Sequence, residues 1–360
     1  MVSRKIIPVI AGLLAASPLA AQQTPAPVAP IAHRDGAHDF DPELGNWTIH
    51  TERLMHPLAG AKDWATYDGT KIVWPIWNGK ANIAEMSEDG AAGHLHFIAL
   101  RLYDPTTQQW NLNFSSAGAG IFGTPMFGEK RGNGIEFIGP DTFHGRSILV
   151  RFVSHETDAD HASSEQYFSD DGGRTWELNW INHYTRTNEA GSVAEPVIAP
   201  TTAQTDASHD FDFVLGTFRT HIKRLTNPLT GASPNWTTYE GTKTDVPILG
   251  GQGSLETIEA DGPNHLELMT LRLYNAASQQ WSLNFSSSDS GEMSNPGIGE
   301  FKNGVGTFLD QEDYKGRTIL VRQLWSKFTP DSYHFEQAFS PDHGKTWETN
   351  FIADLERAKT

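Results

Sequence analysis

The sequence contains no cysteine, and this absence excludes several kinds of chemistry. Without thiols the protein cannot use disulfides, thiolate metal ligands, a cysteine nucleophile or a covalently attached c-type haem. Basic residues are also scarce, because 27 Lys and Arg stand against 44 Asp and Glu, and the formal net charge is −17. Such an acidic balance disfavours nucleic acid and anionic membranes as partners. The fold must therefore be held together by its core alone.

Apolar runs long enough to cross a membrane are absent from the sequence, and the longest apolar run lies near the N-terminus. Arg4 and Lys5 precede the apolar stretch 6–19, which is followed by small residues at 20–21. A short apolar run with basic residues before it and small residues after it is typical of a secretory signal peptide. The sequence predicts a signal peptide at 1–21 and a periplasmic or secreted protein without a membrane span.

The motifs of common cofactor and hydrolase sites are missing too. The chain has no G-x-S-x-G elbow, no H-E-x-x-H, no P-loop and no G-x-G-x-x-G followed by a helical pattern. His94 and His96 share one strand face, as the ligands of some zinc sites do, and His265 and Glu267 stand at similar positions later in the chain. A third ligand is not identifiable, so we expect no metal and no other cofactor.

One long segment is present twice in the chain. The motif H-D-F-D begins at His38 and at His209, and L-R-L-Y-x4-Q-Q-W-x-L-N-F-S-S begins at Leu100 and Leu271, so both pairs are 171 positions apart. One pair of single-residue gaps, near Pro234 and in the 250–255 loop, aligns the rest. A unit of about 150 residues has the size of a domain rather than of a propeller blade. The predicted organisation is a Pro-rich linker at 22–37, units at 38–186 and 208–357, and a linker at 187–207.

Within each unit the apolar residues alternate with a period of two. Ile98, Leu100 and Leu102 share one face of a segment whose other face carries Phe97 and Arg101. Turn dipeptides such as Asp-Gly and Asn-Gly separate these segments, and eight to ten of them fit into each unit. Closing such a sheet removes its exposed edges. The sequence therefore predicts an all-β fold of two tandem antiparallel up-and-down barrels with about eight to ten strands each.

Both units carry the pattern S-x-D-x-G-x-T-W near their ends, which is known as the Asp-box. It includes Asp171 and Trp176 in the first unit and Asp342 and Trp347 in the second. Asp in a tight turn accepts backbone hydrogen bonds, and Gly permits the corner. A sialidase propeller would need such boxes at blade spacing, so we interpret the motif as a hairpin device with Trp packed into the core.

The two ends of each unit resemble those of lipocalins. Gly45-x-Trp47 resembles the G-x-W signature that opens the lipocalin barrel, and Arg186 stands where that family places an arginine over the tryptophan. The second unit has Phe218 and Arg357 at these positions. More broadly, both units resemble a family of bacterial secreted proteins of unassigned function with a lipocalin-like (calycin) barrel. This resemblance implies barrels that bind small lipophilic molecules.

Polar and aromatic residues at matching positions of the two units are candidates for a ligand site. Aromatic walls with an Arg, Asn and Tyr floor suit an apolar molecule with a carboxylate or carbonyl head. The ligand-binding candidates are Trp64, Tyr67, Trp74, Trp77, Arg101, Tyr103, Asn113, Arg151 and Glu165, together with Trp236, Tyr239, Arg272, Tyr274, Asn284, Arg322 and Glu336. The alternative is that the charged residues pair across strands on the outer face, because the alternation does not define which face is inside.

Three functional interpretations remain open at this stage. The leading one is a binding protein for a small lipophilic or aromatic molecule with a polar or anionic head. The second is an acid–base enzyme on the same barrel that uses Glu165, His50, Arg101 and Arg151. The third is an interaction module with filled barrels, and the oligomeric state stays open in all three. Trp74 and Trp77 occur in the first unit alone and suggest a rim or lid there, so we expect that unit to bind and the second to support it or to bind something different.

Overall fold

Residues 34–187 and 207–359 are described by a computed structural model, and within them the chain forms two closed antiparallel barrels of ten strands each. The predicted fold class is confirmed. The predicted signal peptide at 1–21 lies outside the described residues, as do most of the two predicted linkers.

The strands follow the chain without crossovers, so each barrel is a meander whose first and last strands pair. The strands of barrel 1 are β1 (Gly45–Leu54), β2 (Trp64–Ile76), β3 (Ala81–Gly90), β4 (Gly93–Asp104), β5 (Gln109–Ser116), β6 (Met126–Arg131), β7 (Gly134–Phe143), β8 (Arg146–Glu156), β9 (His161–Ser169) and β10 (Glu177–Arg186). The strands of barrel 2 are β11 (Gly216–Leu225), β12 (Trp236–Ile248), β13 (Gly253–Asp261), β14 (His265–Asn275), β15 (Gln280–Ser287), β16 (Gly297–Lys302), β17 (Val305–Tyr314), β18 (Arg317–Thr329), β19 (Ser332–Ser340) and β20 (Glu348–Arg357). Short 3-10 helices lie at Asp41–Glu43, Trp77–Gly79, Ala207–His209, Asp212–Val214 and Leu249–Gly251. In these described parts of the chain, no helix is both long and apolar enough to cross a membrane.

Each barrel is plugged at the end where its first strand begins. In barrel 1 the buried Phe40 packs edge-on against Trp110, with ring centroids 4.9 Å apart, and Phe211 packs against Trp281 in the same way at 5.1 Å. The 3-10 helix that follows Phe40 lies across the barrel end and carries Glu43 inwards, where the side chain is buried. The plug therefore contributes a charged group to the barrel interior.

The arginine of the last strand fastens this plug. The Arg186 guanidinium lies 3.9 Å from the centroid of the Trp47 ring and donates hydrogen bonds to the carbonyls of Leu44 and Pro42, at 2.7 and 2.6 Å. In barrel 2, Arg357 lies 4.5 Å from the Phe218 ring and donates to two carbonyls of its own plug. A cation over an aromatic face contributes about 0.5–2 kcal/mol. Both contacts join the last strand to the entry of the first.

The Asp-boxes form the hairpins at the opposite, open end. Asp171 accepts hydrogen bonds from the backbone N–H groups of Arg174 and Thr175, both at 3.0 Å, and from the Thr175 hydroxyl at 2.8 Å. These donors, led by the Thr175 N–H, lower the pKa of Asp171 to about 2. The boxes are turn devices, as predicted. Trp176 and Trp347, however, are half-buried and lie outside the core clusters, so the predicted core packing of these tryptophans is wrong.

The two barrels pack against each other through the outer faces of β3–β4 and β13–β14. Ile83 and Leu100 of barrel 1 form one buried cluster with Leu255 and Leu271 of barrel 2, and Trp77 belongs to it. Trp77 follows β2 at the plugged end, and Trp74 packs against the same cluster. The predicted rim or lid at these tryptophans is therefore wrong, because they form part of the contact between the barrels.

Strand pairing also corrects the alignment of the two units. Asp89 pairs with His94 at the β3–β4 turn, and Asp261 pairs with His265 at the β13–β14 turn. The second gap of the repeat therefore lies in this turn and not in the 250–255 loop. The shift has a large effect, because moving a strand by one residue exchanges its inner and outer faces. Glu256 takes the inward position of Ala84, although a gap in the 250–255 loop would align it with Glu85.

Candidate functional site

Barrel 1 contains a cavity of about 780 Å³ that reaches from its plugged end to its open end. Its walls are aromatic and apolar, with Phe97, Phe114, Phe152, Phe168 and Trp180 among the lining residues. Alternation along β4 places Phe97 and Ala99 on the inner face, together with Arg101. The cavity has the size of a small-molecule pocket.

Three buried charged groups lie beneath this cavity and are called its floor, and Arg101 is the one of them that lines the cavity. Lys71 Nζ lies 2.9 Å and Arg101 Nη2 3.1 Å from the same oxygen of Glu43, and Arg101 also donates to Asn82 Oδ1 at 2.8 Å. Burial alone would raise the pKa of Glu43, but Arg101 and Lys71 lower it to about 2. Burial lowers the pKa of Lys71, an effect that Glu43 opposes and Arg101 adds to. Two cationic groups therefore share one carboxylate beneath the cavity.

Barrel 2 has the same two cations at the corresponding positions but a different set of counterions. Arg272 bonds to Asp245 and Glu256 at 2.5 and 2.6 Å, and Lys243 lies 3.1 and 3.7 Å from the same two carboxylates. Glu256 and Asp245 occupy the positions of Ala84 and Val73 in barrel 1. Their negative charge raises the pKa of Arg272 against the effect of burial. The floor of barrel 2 is thus balanced within itself.

The side wall is more polar in barrel 1 than in barrel 2, although the floor carries more charged groups in barrel 2. In barrel 1 the Thr51 hydroxyl donates to Asn182 Oδ1 at 2.7 Å, Asn182 donates to Ser164 at 2.9 Å, and Ser164 shares a hydrogen bond with Tyr184 at 2.9 Å. Trp180 also donates to Asn182, at 2.7 Å. The corresponding side chains of barrel 2 are apolar, namely Ile222, Ala353, Phe335, Leu355 and Phe351. Barrel 1 therefore has a polar wall where barrel 2 has an apolar one.

The space inside barrel 2 is divided between two cavities. Its deep cavity measures about 150 Å³ and is lined by Trp325, Phe335 and Phe351 among others. A wider cup of about 700 Å³ lies near the open end, with Tyr239 and Gln337 in its lining. The large cavity that touches a charged floor is therefore a feature of barrel 1.

The structure divides the predicted ligand residues between four places. Arg101 and Arg272 lie inside at the floors, and Tyr67 and Tyr239 are buried on inner faces nearer the open ends. Tyr103 bonds to Asp35 and Gly36 and belongs to the plug. The remaining predicted residues are on outer faces or at the contact between the barrels: Trp64, Trp74, Trp77, Asn113, Arg151, Glu165, Trp236, Asn284, Arg322 and Glu336. Tyr274, which is buried, matches Tyr103.

Charged groups on the outer faces form ion pairs, which was the alternative to a role in a ligand site. Arg151 Nε lies 2.6 Å from Glu136 and its guanidinium lies over Tyr167, whose hydroxyl donates to Glu165. His50 bonds to Asp68 on the outer face at 2.7 Å. The proposed acid–base group of Glu165, His50, Arg101 and Arg151 is therefore not assembled, because Arg101 alone of the four faces the cavity.

The predicted histidine pair is also engaged in local contacts. His94 bonds to Asp89 at 2.9 Å, and His96 bonds to Glu85 at 2.7 Å. Glu85 in turn accepts a hydrogen bond from Leu249 N across the contact between the barrels, at 2.7 Å. Within residues 34–187 and 207–359, no cluster of three or more His, Cys, Asp or Glu side chains is arranged to hold a metal ion.

Asp310, on the inner face of β17, gives a testable pH dependence. Burial raises its pKa from 3.8 to about 7, although Gln323 donates to it at 2.9 Å. A raised carboxyl pKa means that its stabilising contribution is fully present below pH 3.8 and is lost as the pH rises through about 7. We expect Asp310→Asn to stabilise the protein by about 2 kcal/mol at alkaline pH, with solvent screening allowed for, and to have little effect at acid pH.

Urea unfolding at both pH values measures this effect. Asp313→Asn, on the exposed side of the same strand, is the control and should show no such pH dependence. An Asp310→Asn effect of equal size at acid and alkaline pH would contradict the assignment.

Comparison with known proteins identifies no family. No family model and no curated protein matches the chain. Among solved structures, a protein of unknown function from the DUF3598 family of Nostoc punctiforme PCC 73102 matches 91% of this chain and 100% of its own, with 10% identity and a TM-score of 0.24. Transferrin binding protein B of Haemophilus parasuis Hp5 matches over 88% of this chain and 76% of its own, with 7% identity and a TM-score of 0.19. The functional argument therefore depends on the barrel interiors.

Proposed function

We propose that this protein is an exported, lipocalin-like binding protein whose barrel 1 holds a small lipophilic or aromatic molecule with an anionic head. The observation that carries the proposal is the floor of the large cavity, where Lys71 and Arg101 share the single carboxylate of Glu43. The aromatic walls supply apolar contact for the body of the ligand.

The floor favours an anion for an electrostatic reason. Burying a cation without a full counter-charge is costly. Burial lowers the pKa of Lys71 and of Lys243 alike, and Lys71 has one neighbouring carboxylate where Lys243 has two. An incoming carboxylate beside Arg101 would restore the balance and accept charge-assisted hydrogen bonds from the guanidinium. The Nε atoms of Arg101 and Arg272 are both buried without a hydrogen-bond partner in the described parts of the chain, so the two barrels differ in their counterions and not in this donor.

The same reasoning separates the two barrels. Barrel 2 already carries two carboxylates beside its two cations, so an additional anion would meet Asp245 and Glu256 at the floor. Its deep cavity is also several times smaller. We therefore assign the anionic ligand to barrel 1, while barrel 2 supports it or takes a different, uncharged molecule.

Two fluorescent probes that differ by one charged group test the proposal. We use 1-anilinonaphthalene sulfonate, which is anionic, and N-phenyl-1-naphthylamine, which has the same aromatic body without the sulfonate. We expect one high-affinity site per chain for the anionic probe and at least about tenfold weaker binding of the neutral probe there, as the loss of one charged hydrogen bond implies. Native mass spectrometry counts the bound probes and also shows any ligand retained from the native host.

Two results would contradict the proposal. Equal affinities for both probes would mean that the charged floor does not recognise the anion. An anionic probe bound outside the cavity, without quenching of Trp180, would place the site elsewhere on the chain.

A further inference from the structure

A second ionisable group inside barrel 1 has no role in the floor. Glu88 lies on β3, is 0% exposed and occupies the same strand face as Met86, which lines the cavity. Both of its carboxylate oxygens are buried and lack a hydrogen-bond partner among residues 34–187 and 207–359. A buried carboxylate without donors is costly, so most such groups in proteins are paired.

The neighbours of Glu88 do not satisfy it. Thr51 is close to Glu88, but its single hydroxyl proton is directed to Asn182 Oδ1 at 2.7 Å. On the adjacent strands Glu88 pairs with Gly69, which has no side chain, and with Leu95, which is apolar and lines the cavity. Burial accordingly raises the pKa of Glu88. Apart from Thr51, the described residues offer this carboxyl group no hydrogen-bond donor.

Glu88 is specific to the barrel that we assign to ligand binding. Strand pairing places Ala260 at the equivalent position of barrel 2, where the surrounding wall is apolar. Glu88 and the polar wall around Thr51 and Asn182 therefore occur together in barrel 1 and are replaced together in barrel 2.

Glu88 and Arg101 are well separated along the barrel. Arg101 pairs with Asn82, and Glu88 is six residues farther along the same strand towards the open end. At about 3.3 Å per residue this corresponds to roughly 20 Å along the strand. Glu88 does not itself line the cavity, but Met86 on the same strand face and Leu95 opposite Glu88 do, so a ligand whose head reaches Arg101 has its distal part next to these residues and near Glu88.

We propose that Glu88 is a second recognition group of barrel 1, which accepts a hydrogen bond from a hydroxyl or amine on the distal part of the ligand. This inference rests on the proposed function and adds a ligand class to it: an amphipathic acid with a hydrogen-bond donor far from its acid group. A plain fatty acid would satisfy Arg101 but would leave Glu88 without a partner.

Competition with the anionic probe tests this inference. Dodecanoic, ω-hydroxydodecanoic and ω-aminododecanoic acids have the same carboxylate head and chain length and differ at the distal end. The corresponding series from decanoic to hexadecanoic acid varies the distance between the carboxylate and the distal group. Each acid is titrated against the full chain, Glu88→Ala and Glu88→Gln. Glu259→Ala, which removes an exposed carboxylate from β13 of barrel 2, is the matched control.

We expect the preference for the hydroxy acid over the plain acid to fall at least tenfold in Glu88→Ala and to stay unchanged in Glu259→Ala. Glu88→Gln should lose the affinity for ω-aminododecanoic acid and keep part of the affinity for ω-hydroxydodecanoic acid. It is also the variant to use if Glu88→Ala does not fold. If both Glu88 variants keep the preference for the hydroxy acid over the plain acid, and binding still depends on Arg101, the inference about Glu88 is overturned and the proposed function stands. If no acid displaces the probe, the proposed function fails first.

Discussion

Replacement of Arg101 by Met should weaken binding of the anionic probe by about 10- to 100-fold, the usual range for a lost charge-assisted hydrogen bond in a buried site. The barrel should remain folded, because Lys71 stays paired with Glu43 at 2.9 Å after the arginine is removed. Affinity for the neutral probe should change little, since that probe does not need the positive charge. Fluorescence titration of both probes measures the two affinities on the same preparation.

The matched control for this experiment is Arg272→Met in barrel 2. Arg272 is as deeply buried as Arg101, but its positive charge is already paired with Asp245 and Glu256. Its replacement should leave the anionic probe's affinity for barrel 1 unchanged. Equal losses in both variants would show that the arginines act through stability of the chain and not by contact with the ligand.

The second large effect concerns stability. Arg272→Met should destabilise barrel 2 by about 3–5 kcal/mol, because it leaves two buried carboxylates with Lys243 as their one remaining cation within the floor. Arg101→Met should cost barrel 1 clearly less, since one carboxylate and one cation remain there. Urea unfolding followed by tryptophan fluorescence gives both free energies of unfolding.

A double variant provides the internal check. Glu256→Ala in the Arg272→Met background leaves Lys243 with Asp245, and so restores one cation to one carboxylate. This change also introduces the residue that barrel 1 has at the same place, Ala84. We expect the double variant to recover a large part of the lost stability. A double variant less stable than Arg272→Met alone would show that packing, and not charge balance, determines the loss.

The architecture was predictable from the sequence because its determinants are local and periodic. Alternation such as Ile98, Leu100 and Leu102 specifies strands, and turn dipeptides delimit them. The repeat then implied two similar closed sheets. Both are seen. These features follow from residues that are neighbours in the chain or in the repeat.

The site was much less predictable, because a period of two does not distinguish the inner from the outer face. Arg101 and Arg151 both recur in the second unit, yet one lies at the cavity floor and the other pairs with Glu136 on the outer face. Lys71 also recurs, as Lys243, and matching positions could have found it. Glu43 and Asn182 could not be found in this way, since barrel 2 has Val214 and Ala353 there.

The one-residue shift in the β3–β4 turn had the largest effect on the site. Aligning Glu256 with Glu85 pairs two glutamates and hides the difference between the floors. Strand pairing instead places Glu256 beside Thr270, as Ala84 lies beside Ala99. The sequence carries a signal for this shift, because a gap in the turn aligns Ile83 with Leu255, Met86 with Ile258 and the Asp-Gly dipeptide at 89–90 with that at 261–262.

The contact between the barrels affects how a ligand can enter. Ala117, Ala119 and Phe122, in the loop between β5 and β6, line the cavity of barrel 1, and two of them also pack on the cluster shared with barrel 2. The third is held by Asn275 of barrel 2, which donates to the Ala119 carbonyl at 2.9 Å. Barrel 2 therefore holds the loop at the entrance of barrel 1 in place. A change inside barrel 2 would leave this support intact, because the contact uses the outer surface of barrel 2 and not its interior.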